Sequence, residues 1–275
     1  MKNSLTQEQI NYYRKNGFLI IEDFLNEEEL NTWRKTLADA LEKRQGRKFP
    51  HSELKTGEND GINTDATYFG NVFDQIINLW MTHEGMKELI LDKRIGKMAT
   101  QLADVDGIRV WHDQALIKKP WANPTSWHID TPFWSFSHRE ALSIWVALDD
   151  VTIQNGCLYF MPGSQLDTKF DEPNIGMNMG EIFNEYPKYA DKEPFVSVIK
   201  AGSCSFHNGL NIHAAGPNMT TGYRRAMTCA FMPDGSTFNG KKNVLPDDYY
   251  NSLKIGDLMN NEEQNPLIYH KNMDK

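Results

Sequence analysis

From about Ile108 to Phe231 the apolar residues cease to recur every three or four positions and fall into short extended blocks. Residues 108–117 form the longest block, stopped by Lys119-Pro120. Further strands are predicted at 141–148, 156–161, 195–199, 204–206 and 225–231. Turn-forming pairs separate them: Asn155-Gly156, Pro162-Gly163, Ala201-Gly202 and Thr221-Gly222. Short strands with regular turns can bury their apolar faces only by stacking, which points to a β-sandwich or jelly roll.

The preceding hundred residues follow a helical grammar. Thr6 with Gln9 is a capping box, Ile10 and Tyr13 begin an apolar stripe, and Asn16-Gly17 ends the helix. Residues 17–21 read as a short buried strand. Asn26 with Glu29 opens a second helix carrying Leu30, Trp33, Leu37 and Leu41 on one face. Residues 72–103 are predicted helical throughout, anchored by Val72, Ile76, Leu89, Ile90, Ile95, Met98 and Leu102 and divided at Gly85 and Gly96. The last forty residues are polar and sparse in apolar anchors, which predicts a loop, a lid or a loose tail. No Pro-, Gly- or Ser-rich linker and no repeat interrupts the chain. The expectation is an α+β fold in one domain over 1–275: a mainly helical portion to 105, a jelly-roll core over 106–235 and a polar C-terminal segment from 236.

Composition narrows the setting. With 29 Lys+Arg against 37 Asp+Glu, a net charge of -8 disfavours a nucleic-acid partner, whose phosphates demand basic residues. No apolar run approaches the roughly 20 residues of a membrane span, and residues 1–9 lack a signal-like apolar stretch. Cys157, Cys204 and Cys229 are odd in number and far apart, so they are expected to be buried packing residues in a reducing, cytoplasmic setting.

The chemistry concentrates at Trp127-His128-Ile129-Asp130. On extended backbone, residues two apart face the same side, so His128 and Asp130 can converge on one point. Residues 210–218 bring another histidine, His213, to a turn. Two histidines and a carboxylate form the facial triad of non-haem iron(II) and leave coordination positions open; zinc accepts the same ligand types. Arg224 follows eleven residues after His213. An arginine directed into a barrel beside a metal needs an anion, which a dicarboxylate cosubstrate would supply. Arg225 has the opposite strand parity and is expected on the outside, against solvent or an acidic partner.

Taken in order, these segments resemble the phytanoyl-CoA dioxygenase family of iron(II)/2-oxoglutarate oxygenases over most of the chain. The resemblance is carried by residues 5–10 with Tyr13 and 16–19, by Trp127-His128-Ile129-Asp130, by Asn155-Gly156-Cys157-Leu158 and Pro162-Gly163-Ser164, and by His213 with Gly216, Asn218 and Arg224. It implies a double-stranded β-helix (cupin-like) core with N-terminal and flanking helices. It also implies a dioxygenase that hydroxylates a small organic molecule, using dioxygen and 2-oxoglutarate and releasing succinate and CO2. By the same resemblance His128, Asp130 and His213 hold Fe(II), Arg224 grips the distal carboxylate, Trp145 lies near the cosubstrate, and Gln114 or Ala115 contributes from the preceding strand. The family often has serine two positions after the last metal histidine, where this chain has Ala215; Thr228 could supply the missing hydroxyl. The family's halogenases replace the carboxylate ligand, so Asp130 favours hydroxylation or desaturation. The alternative is a non-catalytic cupin-like protein binding a metal or small molecule; a zinc hydrolase would leave Arg224 with nothing to hold.

His207, six residues before His213, is expected to be packed or hydrogen-bonded rather than a ligand, because Asn208-Gly209 breaks its strand. His112 and Asp113 are adjacent, so their side chains should diverge. The tryptophans near the motif are expected to be mainly core, and residues 177–189 are the predicted place for substrate contacts, since specificity tends to reside on loops.

Overall fold

The fold was analysed in a computed structural model that describes residues 1–44, 68, 70–170 and 177–274. Two antiparallel sheets face each other. The larger runs in the order β1 (Phe18–Ile21), β8 (Cys204–Asn208), β5 (Leu142–Ala147), β10 (Arg224–Pro233), β3 (Gly107–Lys118) and β11 (Leu267–His270), and β2 (Asp74–Ile77) also pairs with β3. The smaller runs β4 (Thr125–His128), β9 (His213–Ala215), β6 (Leu158–Phe160) and β7 (Phe195–Ser197). This is the expected jelly-roll core.

Strand parity divides the larger sheet into two functions. On β5, Leu142, Ile144 and Val146 join Phe206, Met227, Cys229 and Phe231 on the outer face. Four helices cover that face: α1 (Gln7–Asn16), α2 (Glu27–Arg44), α3 (Glu84–Ile90) and α4 (Lys93–Ala103). The intervening residues face the smaller sheet, where Phe18, Trp145, Ala147, Phe160 and Ala226 form an inner core. With both faces covered, β5 is buried along its whole length, and hydrophobic alternation is correspondingly weak in its sequence. Both predicted capping boxes form: Thr6 accepts from Gln9 N, and Asn26 Oδ1 accepts from Glu29 N at 2.9 Å. The three cysteines are free and buried.

Two expectations need correction. Residues 72–103 are not helical throughout: residues 74–77 form β2, and a 3-10 turn at Leu79–Met81 precedes α3. The anchors Val72 and Ile76 have helical spacing, but β3 offers this segment a free edge, and Ile76 pairs with Ala115, Ile77 with Gln114. The C-terminal segment is not a loose tail over its described residues. It contains α5 (Asp247–Ser252) and β11, and Phe238, Leu245 and Met259 pack on Trp111, Trp134 and Phe136. No described helix is long and apolar enough to cross a membrane.

As expected, Asp113 diverges from His112 across the sheet. It is fully buried beneath the 3-10 turn, and its carboxylate accepts from Leu79 N at 2.8 Å and Trp80 N at 3.0 Å. This contact ties β2 and α3 to β3. Replacing Asp113 by alanine leaves two buried N–H groups unpaired, which costs about 2–4 kcal/mol. Urea unfolding should show that loss; a change below about 1 kcal/mol would mean that water satisfies both donors.

Candidate metal and anion site

The site lies between the sheets, in a cavity of about 170 Å³. His128 and His213 are register partners on β4 and β9, with ring centroids 4.1 Å apart. Asp130 follows β4, where its backbone N–H and that of Thr131 donate to Gly209 O at 2.8 and 3.0 Å. Gly209 is required by close approach: a Cβ there would lie 2.1 Å from Thr131 Oγ1. The turn after β8 can therefore press against β4's exit and fix the carboxylate beneath the histidines.

Asp130 Oδ1 is 3.4 Å from His128 Nε2 and 3.8 Å from His213 Nε2. One ligand atom from each of the three residues lies within 4.8 Å of the others. Each histidine is oriented by a backbone carbonyl: His128 Nδ1–H donates to Ser126 O at 2.8 Å, and His213 Nδ1–H donates to Asn211 O at 2.9 Å. A carbonyl can only accept, so Nδ1 carries the hydrogen and Nε2 is the atom presented to the cavity.

Electrostatics suit a cation. Burial alone would raise the Asp130 carboxyl, but His213, His128 and His207 together hold it well below the usual carboxylate range. Burial, aided by His128, pushes His213 down to about 3, so its imidazole is neutral and its lone pair available. Desolvation would lower His128, yet contact with Asp130 raises it above the usual histidine value.

Arg224 also lines the cavity, from the first residue of β10. Arg224 is 2% exposed, with Nε and Nη1 buried and unpartnered. Trp145 lies 5.1 Å from Arg224 Cζ, a cation–π contact that supports the guanidinium from one side. Arg225 points outward and holds Asp149 through Nε at 2.9 Å and Nη2 at 2.6 Å, as parity predicted.

The other candidates separate by parity. Gln114 and Thr228 are cross-strand partners and both line the cavity. Ala115 does not: it points the other way, into the helix-covered core. His207 lines the cavity and places Nε2 3.5 Å from Asp130 Oδ2, outside the three-residue cluster. Of the tryptophans, only Trp145 reaches the cavity; Trp111 and Trp134 pack under the C-terminal segment. None of residues 177–189 lines the cavity; Ile182 and Tyr189 pack instead with Ile129, Met161, Leu210 and Ile212. The sequence did not reveal Phe73 just before β2, Gln75 of β2, Leu116 of β3 and Ser143 of β5 as lining residues. Leu116 and Ser143 share parity with Gln114 and Trp145, which is the signal that could have found them.

A bulge interrupts the pairing of β10 with β3. His112 pairs with Ala230 and Val110 with Phe231, so Trp111 is the extra residue. His112 is buried, its Nδ1 has no partner, and burial pushes it down to about 4. Below about pH 6.5 the unfolded chain takes a proton on this residue that the folded protein refuses, so its contribution to stability is lost as pH falls from about 6.5 to about 4. The loss is on the order of 3 kcal/mol. His112→Gln should flatten the unfolding free energy over that window; an unchanged acid limb would show that His112 is protonated in the fold.

The family model described as phytanoyl-CoA dioxygenase (PhyH) matches residues 13–226. A probable phytanoyl-CoA dioxygenase of Caenorhabditis elegans is 26% identical over 251 residues, covering 84% of this chain and 76% of that protein. The peroxisomal phytanoyl-CoA dioxygenase of Homo sapiens is 24% identical over 243 residues, covering 83% and 69%. Among solved structures, the non-haem alpha-ketoglutarate-dependent carbocyclase SnoK from nogalamycin biosynthesis superposes with a TM-score of 0.76 at 25% identity, covering 97% of both chains.

Proposed function

The chain belongs to the phytanoyl-CoA dioxygenase family, and from that premise we propose that it is an iron(II)- and 2-oxoglutarate-dependent dioxygenase acting on a small organic molecule. The observation that carries the reading is the pairing of a His-Asp-His set with a buried, unpartnered guanidinium in one cavity. The donor set fits iron(II): two imidazoles presented through Nε2 and one carboxylate on one side of a point, with the remaining directions open to the cavity. The orphaned Arg224 nitrogens fit a dicarboxylate. A hydrolytic zinc site would leave that cation uncompensated.

His128, Asp130 and His213 would hold the metal, and Arg224 would take the distal carboxylate of 2-oxoglutarate. Bound there, iron(II) with 2-oxoglutarate supplies the oxidative chemistry, consuming dioxygen and releasing succinate and CO2. The chain does the positioning. Ser126 O and Asn211 O fix the ring orientations, so Nε2 of each histidine is delivered without rotamer search. Trp145 supports the guanidinium through its ring, 5.1 Å from Arg224 Cζ. Gln114 is anchored by a hydrogen bond from Gln75 Nε2, and with Thr228 it offers polar atoms along the space between Arg224 and the triad. The apolar walls Phe73, Leu116 and Leu158 limit water there.

Succinate release from 2-oxoglutarate and binding of manganese(II) as a non-reactive metal test this assignment. His128→Ala and Asp130→Ala should lose both, whereas His207→Ala should retain metal. Loss of metal in the last variant with retention in the first two would contradict the ligand set. Arg224→Met should keep metal and raise the 2-oxoglutarate Kd about 10- to 100-fold, the weight of a charge-assisted contact of about 1.5–3 kcal/mol.

A further inference from the structure

Beside Arg224, just behind the residues that line the cavity, lies a second buried cation. β3 and β10 pair so that Lys118 stands directly opposite Arg224, and Lys118 is 0% exposed. Its Nζ donates to Val72 O at 3.1 Å and to Asn123 O. Among the described residues no carboxylate lies within ion-pairing distance of either cation. Asp149 is committed to Arg225, and Asp74 to Lys119 at 2.8 Å near the surface. The Cys157 thiol, in the loop above, is pushed up by burial and stays uncharged.

The lysine is also held in place. Gly156 has φ +93, and a Cβ on it would lie 2.6 Å from Lys118 Cδ, so the loop backbone closes on the lysine stem. Two positive side chains are thus buried across one strand pair, in a place where each penalises the other. Burial, with Arg224 adding to it, pushes Lys118 down to about 7, and burial lowers Arg224 to about 10. The free protein therefore relieves the repulsion by leaving Lys118 partly unprotonated near neutral pH.

We propose that Lys118 is the second cation of the cosubstrate site: Arg224 takes the distal carboxylate directly, Lys118 adds a second positive charge behind it from the neighbouring strand, and binding draws a proton from solvent onto Lys118 Nζ. The inference rests on the 2-oxoglutarate reading above. A carboxylate held on Arg224 acts on the neighbouring lysine through an effective dielectric of about 20 and raises its proton affinity about tenfold or more. No bond other than Nζ–H forms, and the buffer supplies the proton.

Calorimetric titration of the manganese(II)-loaded protein with 2-oxoglutarate, in buffers of different ionisation enthalpy near pH 7.5, reads this uptake directly. The wild type should take up a fraction of a proton per cosubstrate, and its Kd should rise with pH between about 7 and 9. Lys118→Met should take up none there and bind 2-oxoglutarate about tenfold more weakly. It should bind 2-oxobutanoate, which lacks the distal carboxylate, as the wild type does. Lys118→Arg should restore affinity without proton uptake. If the wild type takes up no proton, or Lys118→Met retains the uptake, the inference fails while the function stands. If the wild type does not bind 2-oxoglutarate at all, the proposed function fails with it. Wild-type uptake needs no variant, so poor folding of Lys118→Met would not shield the proposal.

Discussion

Strand parity on β10 couples the hydrophobic core to the candidate site. Met227, Cys229 and Phe231 must enter the helix-covered core, and the same backbone then has to direct Arg224 and Thr228 toward the smaller sheet. β3 obeys the same rule in register, so Ala115 is core while Gln114, Leu116 and Lys118 face inward. A one-residue slip would bury charges among the helices and expose Met227 and Phe231 to the cavity. The helices α1–α4 thus do more than cover a sheet: by filling one face they fix which side chains are available for chemistry on the other.

Within that frame the charges are unevenly distributed. One carboxylate, Asp130, faces three histidines, and at the other end Arg224 and Lys118 behind it have, among the described residues, no carboxylate within ion-pairing distance. Buried charge without a counter-charge is costly, so such an arrangement is stable in use only when ligands complete it. A divalent metal at the histidine end and a dicarboxylate spanning toward Arg224 are complementary to it in sign and in place. The family to which the chain belongs gives that complementarity a reaction, and the carbonyl-bound Nδ1 atoms and Trp145 are how this chain arranges for it.

Much of this was legible from residue order because alternation is a local signal. His128 and Asp130 two apart, and Arg224 beside Arg225 with opposite parity, could be assigned to faces without knowing the sheet. The capping boxes at Thr6 and Asn26 were readable for the same reason. What was not legible depended on distant partners. β2 forms because β3 has an edge to offer, and nothing local distinguishes Val72 and Ile76 from a helical pair, so Phe73 and Gln75 went unseen as lining residues. The C-terminal anchors Phe238, Leu245, Met259 and Ile268 are too widely spaced to show a period, yet each finds a hydrophobic neighbour. Choosing between Gln114 and Ala115 required the strand's phase, which burial on both faces and the bulge at Trp111 conceal.

The central claim is that one cavity brings iron(II) and 2-oxoglutarate together. Its most direct test is anaerobic addition of 2-oxoglutarate to the iron(II)-loaded protein, followed by visible absorption. The account predicts the weak band of iron(II) chelated by a 2-oxo acid, present in the wild type and lost in His213→Ala. A protein that leaves iron(II) colourless with 2-oxoglutarate while holding zinc tightly would contradict it.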